Sequence, residues 1–141
     1  MNPIGRDDTT GTDRGRAARS VRPALELVDL AAAGVGLLGE PEWAGGDRTS
    51  KTLLKTESLR IVLTALRAGA TMENEDPDEA MAIQGLHGTL TMELDGESTE
   101  LRMGDLACLA GGDPWRITAD SDSLLLLSVG RARSSVAPTT E

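Results

Sequence analysis

The sequence has no phenylalanine and no tyrosine, and only two tryptophans, Trp43 and Trp115. Any core is therefore aliphatic, filled in small increments by Leu, Val and Ala, and each indole needs its own explanation. There is one cysteine, Cys108, which excludes a disulfide within the chain. It lies in the apolar run Leu106–Leu109 and reads as a small buried side chain; a nucleophile there would want a neighbouring base. There is one histidine, His87, so no centre built from several imidazoles is available. No run of about 18 apolar residues occurs, so nothing reads as a membrane-spanning helix.

Positive charge is also scarce. Fourteen Lys and Arg face 23 Asp and Glu, a formal net charge of -9. Residues 1–22 hold five Arg and three Asp, or +2, which leaves -11 for the remainder. A body that acidic repels nucleic acid and anionic membrane surfaces and favours neutral or cationic ligands. The first 20 residues have no apolar period and no apolar h-region, and they read as a disordered tail. A single free thiol and the lack of a signal-like start fit a cytoplasmic protein.

What remains is a pattern of short strands behind one helix. Residues 21–50 read as a helix and a loop, 51–130 as a barrel, and 131–141 as a polar tail. Asp29 is placed to cap a helix running to Leu38, with Leu30, Ala33 and Leu37 on one stripe. Gly34 and Gly36 weaken it. Residues 39–50 form a loop whose Trp43 is a hydrophobic lid on the domain or, less simply, a ligand-stacking ring. About eight strands follow, at 51–56, 58–66, 80–86, 89–94, 97–102, 106–109, 115–119 and 123–129. Leu59, Ile61 and Leu63 share one face of the second, and Arg60, Val62 and Thr64 the other. Asp95-Gly96 signals a type I′ hairpin. Leu106–Leu109 reads as a short buried strand, and the four leucines from Leu124 to Leu127 imply burial on both faces of the last. Residues 71–79, with Pro77 and five carboxylates, read as a loop or an irregular edge.

The glycines then carry a resemblance. Gly69 and Gly88 stand at the ends of one spacing, and Gly104 and Gly112 within a second. Together with the hairpin between them they resemble the two motifs of the cupin superfamily, over about 100 residues in all. The resemblance is to small single-domain bacterial cupins. It implies an all-β fold, a double-stranded β-helix or jelly-roll barrel, preceded here by the short helix. It also implies a homodimer.

In metal-binding cupins three histidines and a glutamate of these motifs hold a divalent ion. Here the two first-motif histidine positions hold Glu75 and Pro77, and the glutamate position holds Met81. The second-motif histidine position holds Trp115, and the closing asparagine position holds Ala119. Imidazole suits transition ions, and one carboxylate alone does not replace three imidazoles. No metal and no other cofactor is therefore expected. His87, at a strand end, reads as a surface or turn residue. The carboxylates Glu73, Glu75, Asp76, Asp78 and Glu79 read as a solvated loop, since their spacing is not that of an EF-hand, though a Ca²⁺ or Mg²⁺ site would draw on the same oxygens.

Two functions stay open. One is a metal-independent protein that binds a small neutral or cationic molecule, or serves as a regulatory or partner module, with Glu75, Met81 and Trp115 at the pocket. The other is a degenerate cupin enzyme, an isomerase or lyase, with Glu75 as general acid or base after partial desolvation beside Trp115 and Met81. Trp115 as a plug of the barrel, with Glu75 facing outward, belongs to the first.

Overall fold

A computed structural model of the chain describes residues 24–74 and 76–130. The expected tails at 1–20 and 131–141 lie outside the described residues.

The chain enters through helix α1, Leu30–Leu38. Asp29 caps it as the sequence suggests: its backbone is extended and its Oδ1 accepts a hydrogen bond from the Ala32 N–H at 3.1 Å. The segment read as a loop contains a second, five-residue helix, α2, Pro41–Gly45. Pro41 starts it, where the fixed φ of proline suits a first helical turn and its missing N–H costs nothing.

Among the described residues nine strands follow. They are β1 (Arg48–Lys55), β2 (Leu59–Leu66), β3 (Thr71–Glu73), β4 (Ala80–His87), β5 (Thr89–Leu94), β6 (Glu97–Arg102), β7 (Leu106–Leu109), β8 (Trp115–Ala119) and β9 (Ser123–Gly130). They form two antiparallel sheets, in the orders β1-β2-β9-β4-β7 and β3-β8-β5-β6. β3 is the irregular edge expected of residues 71–79, shortened to three residues where Asn74 and Pro77 follow.

The space between the sheets is filled by Val62, Leu66, Ile83, Leu90, Met92, Leu101, Trp115, Ile117, Ala119, Leu125 and Leu127. Each fully buried Leu or Ile there contributes about 1.5–3 kcal/mol. A second cluster lies on the outer face of the larger sheet. Leu37 of α1 and Trp43 of α2 cover Leu63 and Ala65, with Leu124 and Leu126 packed beside them. The leucine run in β9 is thus buried on both sides, by the barrel core and by the helices. Trp43 is the lid expected of it. Arg67 lies over its ring at 3.9 Å and donates a hydrogen bond to its carbonyl at 2.8 Å. Gly34 is where α1 approaches β9: a Cβ there would meet Leu124 Cδ2 at 2.7 Å.

β7 departs from expectation. It is the edge of its sheet, and only Ala107 and Leu109 turn to the core. Leu106 is 57% exposed and Cys108 is exposed, so the thiol is not the buried side chain that its apolar neighbours suggest. A four-residue apolar run cannot show by itself which of its faces has a partner.

Candidate functional site

The loops after β3, β5 and β7 gather at one end of the barrel, where β8 begins. Two of them are tied together by the backbone. The Gly112 N–H donates to the Pro77 carbonyl at 2.6 Å. Gly111, with φ +102°, comes so close to the first loop that a Cβ would lie 2.7 Å from the Asp78 carbonyl oxygen. Asn74 completes the tie. Its Oδ1 accepts from the Trp115 N–H at 3.2 Å and its Nδ2 donates to the Asp113 carbonyl at 3.3 Å. The sequence offered no pointer to Asn74, because both of its partners lie some forty residues downstream.

This junction fixes Trp115. Its side chain is 5% exposed and belongs to the core, opposite Leu94 in the β5–β8 register. It also walls a cavity of about 160 Å³ together with Pro77, Glu79, Leu94, Leu109 and Gly111. On its other side a groove of about 530 Å³ runs past Glu73, Glu93, Asp95, Pro114 and Arg116. Arg116 is held there by Glu73 at 2.9 Å.

Met81 packs against the same core, paired in register with Leu109. It lines a separate open groove of about 390 Å³ with Ala82, Cys108 and Leu109. Trp115 and Pro77 therefore share one cavity, while Met81 stands behind Leu109 and Ala110. Glu75 lies outside the described residues. His87 is exposed at the far end of β4, opposite Leu124, and is not brought to the site.

One contributor went unnoticed in the sequence. Arg60 shares strand parity with Val62 and Leu66, which face the barrel core. It pairs in register with Val129, which pairs in turn with Met81. Its Nε is, among the described residues, the one buried side-chain nitrogen or oxygen without a hydrogen-bond partner. The alternation placed Arg60 opposite Ile61 and Leu63. What it did not show is that helices cover the Leu63 face and so turn the Arg60 face inward.

Among the described residues two ionisable groups have displaced pKa values, and both lie toward the opposite end of the barrel. Asp47 is held below the usual carboxylate range by a hydrogen bond from Arg48 and by its charge. Arg102 is raised by its hydrogen bond to Glu100.

The fold was compared with solved structures. A conserved protein of unknown function from Streptococcus pyogenes superposes with a TM-score of 0.62 at 21% identity, covering 82% of this chain and 95% of that one. The cupin domain of a transcriptional regulator from Enterobacter cloacae gives 0.56 at 19% identity, covering 62% and 99%. The chain has a cupin fold. KdgF from Halomonas sp. likewise superposes at 0.56 with 21% identity, over 62% of this chain and 82% of that one. No family model matches the sequence, and no curated protein matches it either. The described residues contain no helix long and apolar enough to cross a membrane.

On the cupin framework the metal positions can be tested for fit. Of the four ligand positions that the motif resemblance implies, Glu75 lies outside the described residues, and Pro77 carries no donor side chain. Met81 offers a soft thioether, and the Trp115 indole only donates. Among the described residues no three His, Cys, Asp or Glu side chains gather to hold an ion. Among the described residues, Pro77, Met81 and Trp115 do not fit the transition-metal centre that the fold family implies.

Proposed function

We propose that the protein is a metal-independent cupin that binds a small neutral or cationic molecule at the Trp115 end of its barrel and acts through that binding, as a regulatory or partner module. The observation that carries this is the cavity of about 160 Å³ between the indole, Leu94, Leu109 and Pro77, with the half-buried carboxylate of Glu79 in its wall. An apolar cavity of about 150 Å³ holds a molecule the size of benzene, whereas drug-sized ligands need about 300–1,000 Å³. The ligand is accordingly a small one. Its apolar part lies on the indole, and an ammonium or similar cation faces Glu79 and Asp113. Met81 supports the site from behind Leu109.

Trp115 reports its own occupancy. In a Trp43→Phe background it is the sole indole, and its emission is expected to change saturably as n-butylamine or benzylamine is added at millimolar concentration. The matched alcohols should bind more weakly, and Glu79→Gln should remove most of the difference. A thermal-shift series on the unmodified chain provides the same comparison without the Trp43 substitution. Flat titrations in both formats, for every amine and alcohol tried, would sink the binding role.

A further inference from the structure

We infer that two copies of this chain meet, about a twofold axis, on the face made by residues 24–28, the outer side of α1 and the uncovered ends of β1 and β2. The inference is independent of the ligand cavity at Trp115.

The argument begins with α1. A surface helix ordinarily carries polar residues on the side away from the core. Leu30–Leu38 reads LAAAGVGLL and has no polar side chain at all. Gly34 and Leu37 are buried against the larger sheet, which leaves Ala31, Val35 and Leu38, at i, i+4 and i+7, as an exposed apolar stripe. Val35 is 73% exposed. The extended chain before the helix continues this surface, with Leu25 74% and Leu27 87% exposed. Leu54 and Leu59 stand exposed beside it, on the part of the outer sheet face that the helices leave bare. Seven of the nine exposed large apolar side chains among the described residues thus belong to this region. The other two, Met103 and Leu106, lie by β7 at the opposite edge of the sheet. Apolar side chains scattered singly over a surface need no explanation, but their concentration marks a contact.

Relief and charge say what the contact is with. A groove of about 730 Å³ runs between the extended segment and the sheet, walled by Glu26, Leu27, Val28, Leu54, Lys55 and Ile61. Projecting leucines and an apolar groove therefore lie side by side on one face. A twofold interface sets the same patch of each copy against itself, so Leu25 of either copy enters the groove of the other. Residues 23 onward carry a net charge of -11, and two such bodies repel over most of their surface. The groove instead holds one acid and one base, Glu26 and Lys55, and no ion pair joins them within the chain. The twofold places each against its opposite in the other copy. An anionic membrane offers no such match, and the face lacks the rows of Lys and Arg that hold a helix at a membrane surface. The area also suffices. At roughly 100 Å² for a fully exposed aliphatic side chain, the seven exposures amount to about 300–400 Å² per copy. With interfaces about 60% apolar, this corresponds to a total contact of about 1,200 Å², the lower end of the range for specific complexes.

The test is sedimentation equilibrium of the full chain from micromolar to submillimolar concentration. A reversible monomer–dimer equilibrium is expected. Leu27→Glu should weaken association about thirtyfold or more. It should leave the melting temperature of the dilute monomer unchanged, because the side chain is already in solvent. Leu106→Glu places the same charge on an exposed leucine of β7 and should leave association as it was. Lys55→Glu should weaken association about tenfold, and adding Glu26→Lys to it should restore the parent value. Indiscriminate apolar adhesion would not show that reciprocity. A chain that is monomeric throughout, or a dimer indifferent to Leu27→Glu, would overturn the inference. So would a dimer lost in Leu106→Glu, or a double charge variant that fails to recover. Binding of the monomer to phosphatidylcholine–phosphatidylglycerol vesicles, abolished by Leu27→Glu, would make the face a membrane contact and overturn it as well.

Discussion

Trp115→Ala is expected to destabilise the fold by about 3–5 kcal/mol, the range for truncating a buried tryptophan. The loss should fall in the upper part of that range. The cost of a large-to-small change grows with the cavity left behind, and here the indole already borders a void of about 160 Å³ that cannot collapse while the loops are tied. Removing the ring would join that void to the core between Leu94 and Ile117. The backbone tie through Asn74 would survive, since it involves the Trp115 N–H and not the indole. Urea unfolding followed by far-UV circular dichroism measures the change. With total stabilities of small domains at about 5–15 kcal/mol, such a loss takes a large share of what holds this one together. If the alanine variant proves too unstable to purify, Trp115→Leu should show the same sign at a smaller cost. A change within experimental error for both would mean that the ring is not part of the core.

Gly88→Ala should be almost as costly, at about 2–5 kcal/mol. Two effects combine. The residue has φ +82°, a left-handed conformation that costs a side-chain-bearing residue about 1–2 kcal/mol. Overpacking adds about 1–3 kcal/mol. A Cβ here would stand 2.5 Å from the Asp122 carbonyl oxygen and against Ser123, so backbone and not a flexible side-chain tip would have to give way. Ser123 is buried and donates to Ser121 and Thr89 carbonyls, which leaves it little freedom to move. Gly96→Ala provides the comparison. It shares the positive φ, at +81°, but nothing lies within 4 Å of its added Cβ. Its loss should therefore be confined to the conformational part. Thermal melts of the two variants separate strain from collision, and equal losses would show that the collision contributes nothing.

These two residues also mark what the sequence could and could not reveal. Gly69, Gly88, Gly104 and Gly112 all adopt positive φ, so the spacing that carried the cupin resemblance was a record of backbone turns. Asp95 and Gly96, at φ +54° and +81°, make the expected type I′ hairpin. The Asp29 cap was legible for the same reason: its partner is three residues away. Features decided by distant partners were not. The exposure of Cys108 depends on β7 having a neighbour on one side only. The inward aim of Arg60 depends on helices that cover the other face of β2. The role of Asn74 depends on residues 39 and 41 positions downstream. Helix α2 was missed because five residues beginning with proline and ending in glycine carry no periodic signal. Of the pocket residues read from the sequence, Trp115 is placed at a cavity and Met81 beside it, while Glu75 lies outside the described residues.

The proposal that a cupin barrel here works without a metal rests on Pro77, Met81 and Trp115 at three of the four ligand positions that the motif resemblance implies, with Glu75 at the fourth. The measurement that meets it most directly is metal content. The full chain would be purified without chelator, offered Fe, Mn, Ni and Zn one at a time, freed of excess ion and analysed by plasma mass spectrometry. Well under one ion per chain is expected in every case, with no change in melting temperature. One tightly held ion per chain, of any of the four, would contradict the account.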